Sequence, residues 1–201
     1  LLDEPLSNLD AKLREETRVE LRELVKRVGI TTLYVTHDQL EALTMSDTVA
    51  VMNQGVIVQQ GSPVEIYQAP REQFVANFIG LTNFLDGRVT EPANDPSGIG
   101  AVSTASGSLH CVLPDGAVIG DNVIVVIRPE DINIVAASAH AGDNVLRGKI
   151  DALIFMGDAL ECQLSVGEQK LRTKLHPASP LRQGENVLLQ LPPQSCRALR
   201  A

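Results

Sequence analysis

Apolar and polar positions alternate at helical and strand spacing through the first 80 residues of the chain. Mostly apolar side chains recur every three or four positions from Leu13 to Val28, which predicts an amphipathic helix. Asp10 stands where an N-cap is expected, and Gly29 stands where a helix in this register would end. The β-branched run at 31–36 predicts a buried strand directly after this helix.

Shorter elements continue this pattern up to residue 80. Helices are predicted over 38–45, 63–68 and 72–79, and strands over 47–52 and 56–60. Strands that are separated by helices indicate an α/β fold with a parallel sheet.

After residue 80 the pattern changes to short alternating runs that are broken by Gly, Pro, Asp and Asn. Strands are predicted over 84–90, 108–113, 123–128, 146–155, 160–166, 170–174 and 187–191. This spacing, without a long helical run, predicts a small antiparallel barrel or sandwich. Residues 91–107 are rich in Pro, Asn, Ser, Gly and Ala, which predicts a mobile loop. We therefore expect two domains, residues 1–80 and 81–201.

Charge and cysteine content narrow the classes of function. The 201 residues include 25 acidic and 17 basic side chains, a net charge of −8, which argues against general binding of nucleic acid or anionic membranes. The three cysteines are far apart and predict neither a disulfide framework nor a thiolate metal site. No apolar run reaches the roughly 18 residues that a membrane-spanning helix needs. His110, His140 and His176 are too scattered to predict a metal site.

Two carboxylates directly follow an apolar strand end in segment 1–5. A carboxylate at the carboxyl end of a buried parallel strand faces the crevice where α/β sheets bind ligands. Asp3 is suited to hold a hydrated Mg²⁺, and Glu4 is suited to polarise a water for attack on a phosphoryl group. Segment 35–38 ends the next strand, so that His37 is expected near Glu4, where its imidazole can hydrogen-bond a terminal phosphate oxygen.

Residues 1–10, 35–41 and 47–67 resemble the C-terminal half of the nucleotide-binding subunit of ATP-binding cassette (ABC) transporters. The resemblance is close to the importer subgroup that carries a C-terminal regulatory domain. It implies an ATP-binding subunit that couples ATP hydrolysis to solute uptake.

This resemblance also implies roles for individual residues. Asp3 would be the Walker B aspartate, which acts on Mg²⁺ through water, and Glu4 would be the general base for hydrolysis. His37 would be the switch histidine that contacts the γ-phosphate of ATP. The loop that crosses the dimer interface to the site of the other subunit would contain Ser7, Asn8 and Asp10.

The fold that the resemblance implies is an incomplete P-loop NTPase domain of α/β type over 1–80, followed by an all-β, OB-like TOBE barrel over 81–201. Segment 126–132 is the most recognisable stretch of this barrel. For Arg128 and Glu130 we favour a structural role over a binding role, because a surface ion pair contributes only about 0–1 kcal/mol.

The phosphate-binding motif G-x-x-x-x-G-K-[ST] is absent from the sequence. The one Gly-Lys pair of the chain, at 148–149, lies in a predicted strand and is followed by Ile150, where the motif requires Ser or Thr. The resemblance therefore implies that the chain starts inside the Walker B strand. ATP and Mg²⁺ would be cofactors of the complete cassette. Because phosphoryl transfer depends on positioning of the phosphates, we expect this chain alone neither to bind ATP usefully nor to hydrolyse it.

An incomplete sheet would also leave apolar strand residues without packing partners. We expect this for Leu33, Val35, Val49 and Val51. An open hydrophobic sheet edge invites pairing with another chain, which predicts dimerisation, swapping or partial disorder of residues 1–80, while 81–201 folds independently.

The partners implied by the resemblance are the membrane permease subunits of an importer and a second copy of the chain, bound through both domains. The implied location is cytoplasmic, peripheral to the plasma membrane. The alternative is a stand-alone regulatory protein that dimerises and binds a small effector or a transporter partner. A third hypothesis, an OB module that binds nucleic acid, has less support. Residues 81–201 contain only two aromatic side chains that could stack on bases, Phe84 and Phe155.

Overall fold

A computed structural model describes residues 1–135 and 144–201, so that His140 lies outside the described residues. The chain divides into two compact units. The first contains Leu1–Arg71 and Phe78–Gly80, and the second contains Glu72–Asn77 and Leu81–Ala201.

The first unit mixes short strands with helices. Its elements are β1 (Leu2–Asp3), α1 (Ala11–Val28), β2 (Tyr34–Val35), α2 (Gln39–Met45), β3 (Val49–Asn53), β4 (Val56–Gly61) and α3 (Pro63–Gln68). Strands β1 and β2 are parallel, and β3 and β4 form an antiparallel hairpin. Helix α4 (Gln73–Phe78) follows at the division between the units.

Helix α1 has both of the ends that its sequence predicts. The Asp10 carboxylate accepts a hydrogen bond from the backbone N–H of Leu13 at 3.0 Å, which satisfies an otherwise unpaired donor of the first turn. Gly29 ends the helix at φ 69°, a left-handed conformation that glycine adopts without steric cost, and its N–H donates to the Val25 carbonyl at 3.0 Å. None of the side chains of α1 is buried.

The strand predicted at 31–36 forms only over two residues, and the prediction that it is buried is wrong. The exposed fraction is 66% for Leu33 and 44% for Val35, as expected for residues at an open edge. The same expectation is wrong for Val49 and Val51, which are only 6% and 3% exposed. Both lie in β3, and this strand pairs along its length with β4, which packs against α3. Val49 and Val51 are therefore buried although their hairpin is a sheet of only two strands.

The second unit consists of strands. They are β5 (Asn83–Glu91), β6 (Ile99–Thr104), β7 (Gly107–Val112), β8 (Asn122–Ile127), β9 (Asn133–Val135), β10 (Val145–Phe155), β11 (Leu160–Val166), β12 (Gln169–Leu175), β13 (Asn186–Gln190) and β14 (Arg197–Arg200), with a 3₁₀ turn at Pro129–Asp131. Five of them close a barrel in the order β14-β7-β6-β5-β8, and the other five form a sheet in the order β12-β11-β10-β13-β9. The two layers share one hydrophobic core.

The seven strands predicted after residue 80 are all present within one or two residues at their ends. The loop predicted over 91–107 is present only in part: residues 92–98 connect β5 to β6, but β6 occupies Ile99–Thr104 and pairs with both β5 and β7. Glycine is needed at position 100 for close packing: a Cβ atom there would lie 2.4 Å from the Glu91 carbonyl oxygen and 2.4 Å from Leu113 Cδ1. The composition that suggests a loop is thus also the composition of a tightly packed strand. Strands β9 and β14 are too short to produce a recognisable alternation.

Buried polar side chains join the layers of the second unit. Asn83 of β5 donates from Nδ2 to the Arg172 carbonyl at 2.9 Å and accepts from the Arg172 N–H at 2.7 Å, which ties the barrel to β12. Arg128 is buried, not on the surface, and its Nη1 donates to the carbonyls of Ala76 and Leu81 at 3.1 Å each and to the Thr82 hydroxyl. These contacts agree with the structural role favoured for Arg128.

The three cysteines are buried free thiols, and burial raises the pKa of Cys111 and of Cys196 to about 12 and that of Cys162 to about 11. At neutral pH they are therefore unreactive thiols. Among residues 1–135 and 144–201, no helix is long and apolar enough to cross a membrane.

Candidate functional site

Glu4 and His37 meet at one end of the parallel pair formed by β1 and β2. Leu2 lies opposite Tyr34 in this pair, Asp3 lies opposite Val35, and the Glu4 N–H continues the ladder by donating to the Val35 carbonyl at 2.8 Å. Because parallel strands end at the same edge, the residues that follow them are neighbours. The distance between His37 Nδ1 and Glu4 Oε1 is 2.9 Å. The structure thus brings together two of the predicted site residues that are 33 positions apart.

The hydrogen bond between them determines which imidazole nitrogen carries a proton. An ionised carboxylate only accepts hydrogen bonds, so Nδ1 of His37 must be the donor, and Nε2 is left as the second titrating position. The hydrogen bond from His37 to Glu4, together with the negative charge of Glu4, raises the pKa of His37 above its usual value. When protonated, His37 can donate from Nε2 to an anionic oxygen while Nδ1 remains bound to Glu4.

Glu4 itself adopts a positive φ of 44°, which is unusual for a residue with a side chain. Its carbonyl oxygen accepts hydrogen bonds from the Ser7 hydroxyl at 2.9 Å and the Ser7 N–H at 3.2 Å. Ser7 therefore closes a tight turn directly after β1, and this turn places the Glu4 carboxylate at the edge of the sheet.

The other predicted site residues lie on the surface beside this turn. Asp3, Asn8 and Asp10 are exposed. The Asp10 carboxylate is used as the N-cap of α1, so its position is determined by the helix. The segment from Ser7 to Asp10 is a short exposed connection between β1 and α1, and the structure places all six predicted residues within this unit.

Arg14 connects this segment to the turn that carries His37, and sequence reasoning did not identify it. Its Nη2 donates to the Leu9 carbonyl at 2.9 Å, and its Nη1 lies 3.7 Å from Asp38 Oδ2. Asp38 also caps α2 by accepting a hydrogen bond from the Leu40 N–H at 2.8 Å. The periodicity of the sequence places Arg14 in the predicted helix α1, but it does not indicate which loop the Arg14 side chain contacts.

Sequence reasoning also missed Glu41, which is a buried carboxylate in α2. Its Oε2 accepts hydrogen bonds from the Tyr34 hydroxyl at 2.9 Å and the Thr36 hydroxyl at 2.8 Å. Burial of Tyr34 and its hydrogen bond to Glu41 raise the pKa of the tyrosine well above its ordinary value. A glutamate in the first turn of a helix is ordinary, so the sequence gives no sign that this one is buried.

The site residues fit Mg²⁺ and a nucleoside triphosphate only in part. Carboxylate oxygens such as those of Asp3 suit Mg²⁺, and the Nε2 atom of His37 suits a phosphate oxygen. The sequence lacks the glycine-rich loop and lysine that hold the β- and γ-phosphates in such sites. In the described part of the chain, no three His, Cys, Asp or Glu side chains are grouped to hold a metal ion. The residues present do not form a complete triphosphate site.

Comparison with protein families and known proteins found matches to both units of the chain. The TOBE domain family matches residues 125–199. The spermidine/putrescine import ATP-binding protein PotA of Acetivibrio thermocellus is 43% identical over 194 residues, which are 96% of this chain and 51% of that protein. The PotA protein of Pseudomonas fluorescens is 41% identical over 205 residues, covering 100% of this chain and 55% of its own length.

A relative with a different named substrate is equally similar. The trehalose/maltose import ATP-binding protein MalK of Thermococcus litoralis is 42% identical over 191 residues, which are 93% of this chain and 51% of that protein. Among solved structures, the cytoplasmic molybdate-binding protein ModG, crystallised with molybdate, has a TM-score of 0.51 at 12% identity. That match covers 58% of this chain and 94% of ModG, and it shows a likeness of fold alone.

The chain spans about half the length of the import proteins that it matches. The matches to them extend over nearly all of its residues, and the TOBE match lies within its β-rich second unit. The resemblance seen in the sequence is thereby confirmed: the chain is similar over nearly its whole length to ATP-binding subunits of ABC importers, and its residues 125–199 match the TOBE domain family.

Proposed function

We propose that the chain is part of the ATP-binding subunit of an ABC importer, which couples ATP hydrolysis to solute uptake. Residues 1–80 would be the C-terminal part of the ATPase domain, an incomplete α/β P-loop NTPase fold, and residues 81–201 the OB-like regulatory domain. The observation that carries the proposal is the 2.9 Å contact between Glu4 and His37 at the carboxyl ends of two parallel strands. The relatives named as import ATP-binding proteins support it.

In a complete cassette, Asp3 would act on Mg²⁺ through water, and Glu4 would be the general base. His37 would contact the terminal phosphate of ATP. This division of roles is supported by the geometry, since Nδ1 of His37 is bound to Glu4 and Nε2 is left for a phosphate oxygen.

The turn residues beside this site would act on a second subunit. They are Ser7, Asn8 and Asp10, and in the proposed dimer they would reach the nucleotide site of the other copy. Their exposure on a short connection supports this role. We further propose a homodimer that docks on membrane permease subunits, on the cytoplasmic side of the plasma membrane.

The proposal is tested with a chimera of the Acetivibrio thermocellus PotA protein in which the region that aligns with this chain is replaced by this chain. We expect the chimera to hydrolyse ATP in the presence of Mg²⁺. The substitution Glu4→Gln should lower kcat by at least about 100-fold, because it removes the general base. The matched control is Glu16→Gln, an exposed carboxylate on α1, which should leave the rate unchanged. A folded, dimeric chimera without ATPase activity would contradict the proposal and favour a purely regulatory protein.

The isolated 201-residue chain is expected to behave differently. It lacks the phosphate-binding motif, so we expect no measurable binding of Mg-ATP or of a non-hydrolysable analogue by titration calorimetry. Binding in the micromolar range would show that the residues in this chain suffice to hold the nucleotide.

A further inference from the structure

The turn that carries His37 is held by two hydroxyl groups and one buried carboxylate. Thr36 directly precedes His37, and its Oγ1 donates to Glu41 Oε2 at 2.8 Å and accepts from the Asp38 N–H at 2.9 Å. The Tyr34 hydroxyl donates to the same Glu41 oxygen at 2.9 Å. The backbone on both sides of His37 is therefore connected to α2 through Thr36.

Burial of the Glu41 carboxylate costs free energy unless its oxygens accept hydrogen bonds from the protein. Glu41 is only 3% exposed, and a buried carboxylate is tolerated only where hydrogen bonds replace those it made to water. Both donors come from the segment at the end of β2, two positions apart and so on the same face of the extended chain. Glu41 thereby fixes the direction in which the chain leaves β2.

We propose that Thr36 and Glu41 are positioning residues that hold the His37 imidazole against the Glu4 carboxylate. Neither residue touches the atoms that would react, and both act through the turn of His37. The catalytic meaning of this positioning rests on the proposed function, whereas the positioning itself is a property of the chain.

A substitution that tests the positioning of His37 must leave the charges around the imidazole unchanged. Glu4, Asp38 and Glu41 all raise the pKa of His37, and the hydrogen bond to Glu4 has the largest effect. Replacing Glu41 would change charge and geometry together. The substitution Thr36→Val removes only the hydroxyl and keeps the shape of the side chain, and Thr36→Ser keeps the hydroxyl as a matched control.

The experiment is an NMR titration of the His37 imidazole in the whole 201-residue chain, which contains four histidines. In the unsubstituted chain we expect the pKa of His37 to lie above the ordinary value of about 6.5. Thr36→Val should lower it towards that value, because the imidazole is no longer held at Glu4, and Thr36→Ser should leave it as in the unsubstituted chain.

The proposal is overturned if a folded Thr36→Val variant titrates like the unsubstituted chain, or if the valine and serine variants lower the pKa equally. Circular dichroism and the amide spectrum establish folding. If the valine variant does not fold, Tyr34→Phe decides: it removes one of the two donors to Glu41, and it should lower the pKa of His37 in part, while no change would overturn the proposal.

A second readout uses the PotA chimera. There Thr36→Val should lower kcat by up to about 100-fold with little change in KM, since it misplaces a group without removing it, and Thr36→Ser should restore the rate. An inactive chimera would contradict the proposed function, and the titration in the 201-residue chain would still decide whether Thr36 positions His37. Equal kcat in the valine variant and the parent chimera would count against the positioning.

Discussion

At the scale of single residues, the pair of Glu4 and His37 links protonation to the stability of the first unit. Its hydrogen bond raises the pKa of His37 in the folded chain above the value in the unfolded chain. The protonated imidazole is therefore favoured by folding. The stabilisation is fully present below the unfolded pKa of about 6.5 and is lost as pH rises through the higher folded pKa.

We predict that Glu4→Gln lowers the free energy of unfolding of the chain at pH 6 more than at pH 9. Chemical denaturation at the two pH values measures this difference. Glu16→Gln on α1 is the control, and it should have the same small effect at both. A Glu4→Gln effect that does not depend on pH would mean that the pair contributes no linked protonation.

Asn83 is expected to stabilise the second unit through partners that are distant in the sequence. Its side chain is buried and exchanges two hydrogen bonds with the Arg172 backbone. We predict that Asn83→Ala destabilises the second unit by about 2 kcal/mol, because the partly buried N–H and C=O of Arg172 in β12 lose their partners. Thermal or denaturant unfolding would measure this. Asn186→Ala, an exposed asparagine in β13, should change stability by less than about 0.5 kcal/mol. Equal effects of the two substitutions would refute the bridging role.

At the scale of elements, local patterns predicted where helices and strands begin and end much better than what they pack against. The caps of α1 are found where the sequence places them, at Asp10 and Gly29, because a cap is determined by atoms within four residues. Strand β6 was missed for the opposite reason. Gly100 allows close contact with Glu91 and Leu113, and no local pattern distinguishes a strand with such a glycine from a loop.

This explanation of β6 predicts that Gly100→Ala destabilises the barrel by about 1–3 kcal/mol, since a new Cβ atom would overlap the backbone of Glu91 and the side chain of Leu113. Ser103→Ala is the control, because Ser103 is exposed in the same strand. The midpoint of denaturant unfolding compares the two variants. If Gly100→Ala is as stable as Ser103→Ala, close packing is not the reason for the glycine.

At the scale of the whole molecule, the two units differ in how completely they bury apolar residues. The barrel and the five-stranded sheet of the second unit enclose a continuous core, whereas α1 in the first unit has no buried side chain. Local stability follows buried apolar contacts, so the second unit should resist opening more strongly.

Limited proteolysis of the 201-residue chain should therefore cut first within residues 1–71 and leave a protected fragment that contains residues 81–201. Mass spectrometry of the products over time identifies the cuts. Protection of the first unit with early cleavage inside the barrel strands would contradict this expectation.

The same experiment at high and low protein concentration tests the predicted pairing of open sheet edges between chains. Such pairing should slow the cleavage of the first unit at high concentration.

The sequence by itself determined the caps of α1, seven of the ten strands that the structure describes in the second unit, and the resemblance to ATP-binding subunits of ABC importers. It also indicated that Glu4 and His37 would meet, because parallel strands bring the residues after them to one edge. Only the tertiary structure decided that Val49 and Val51 are buried, that Glu41 holds Thr36 and Tyr34, and that Asn83 ties the barrel to the sheet. The physical reason is range: helical and strand periodicity and capping depend on neighbours a few positions away, whereas burial and buried hydrogen bonds depend on residues that only the folded chain brings together.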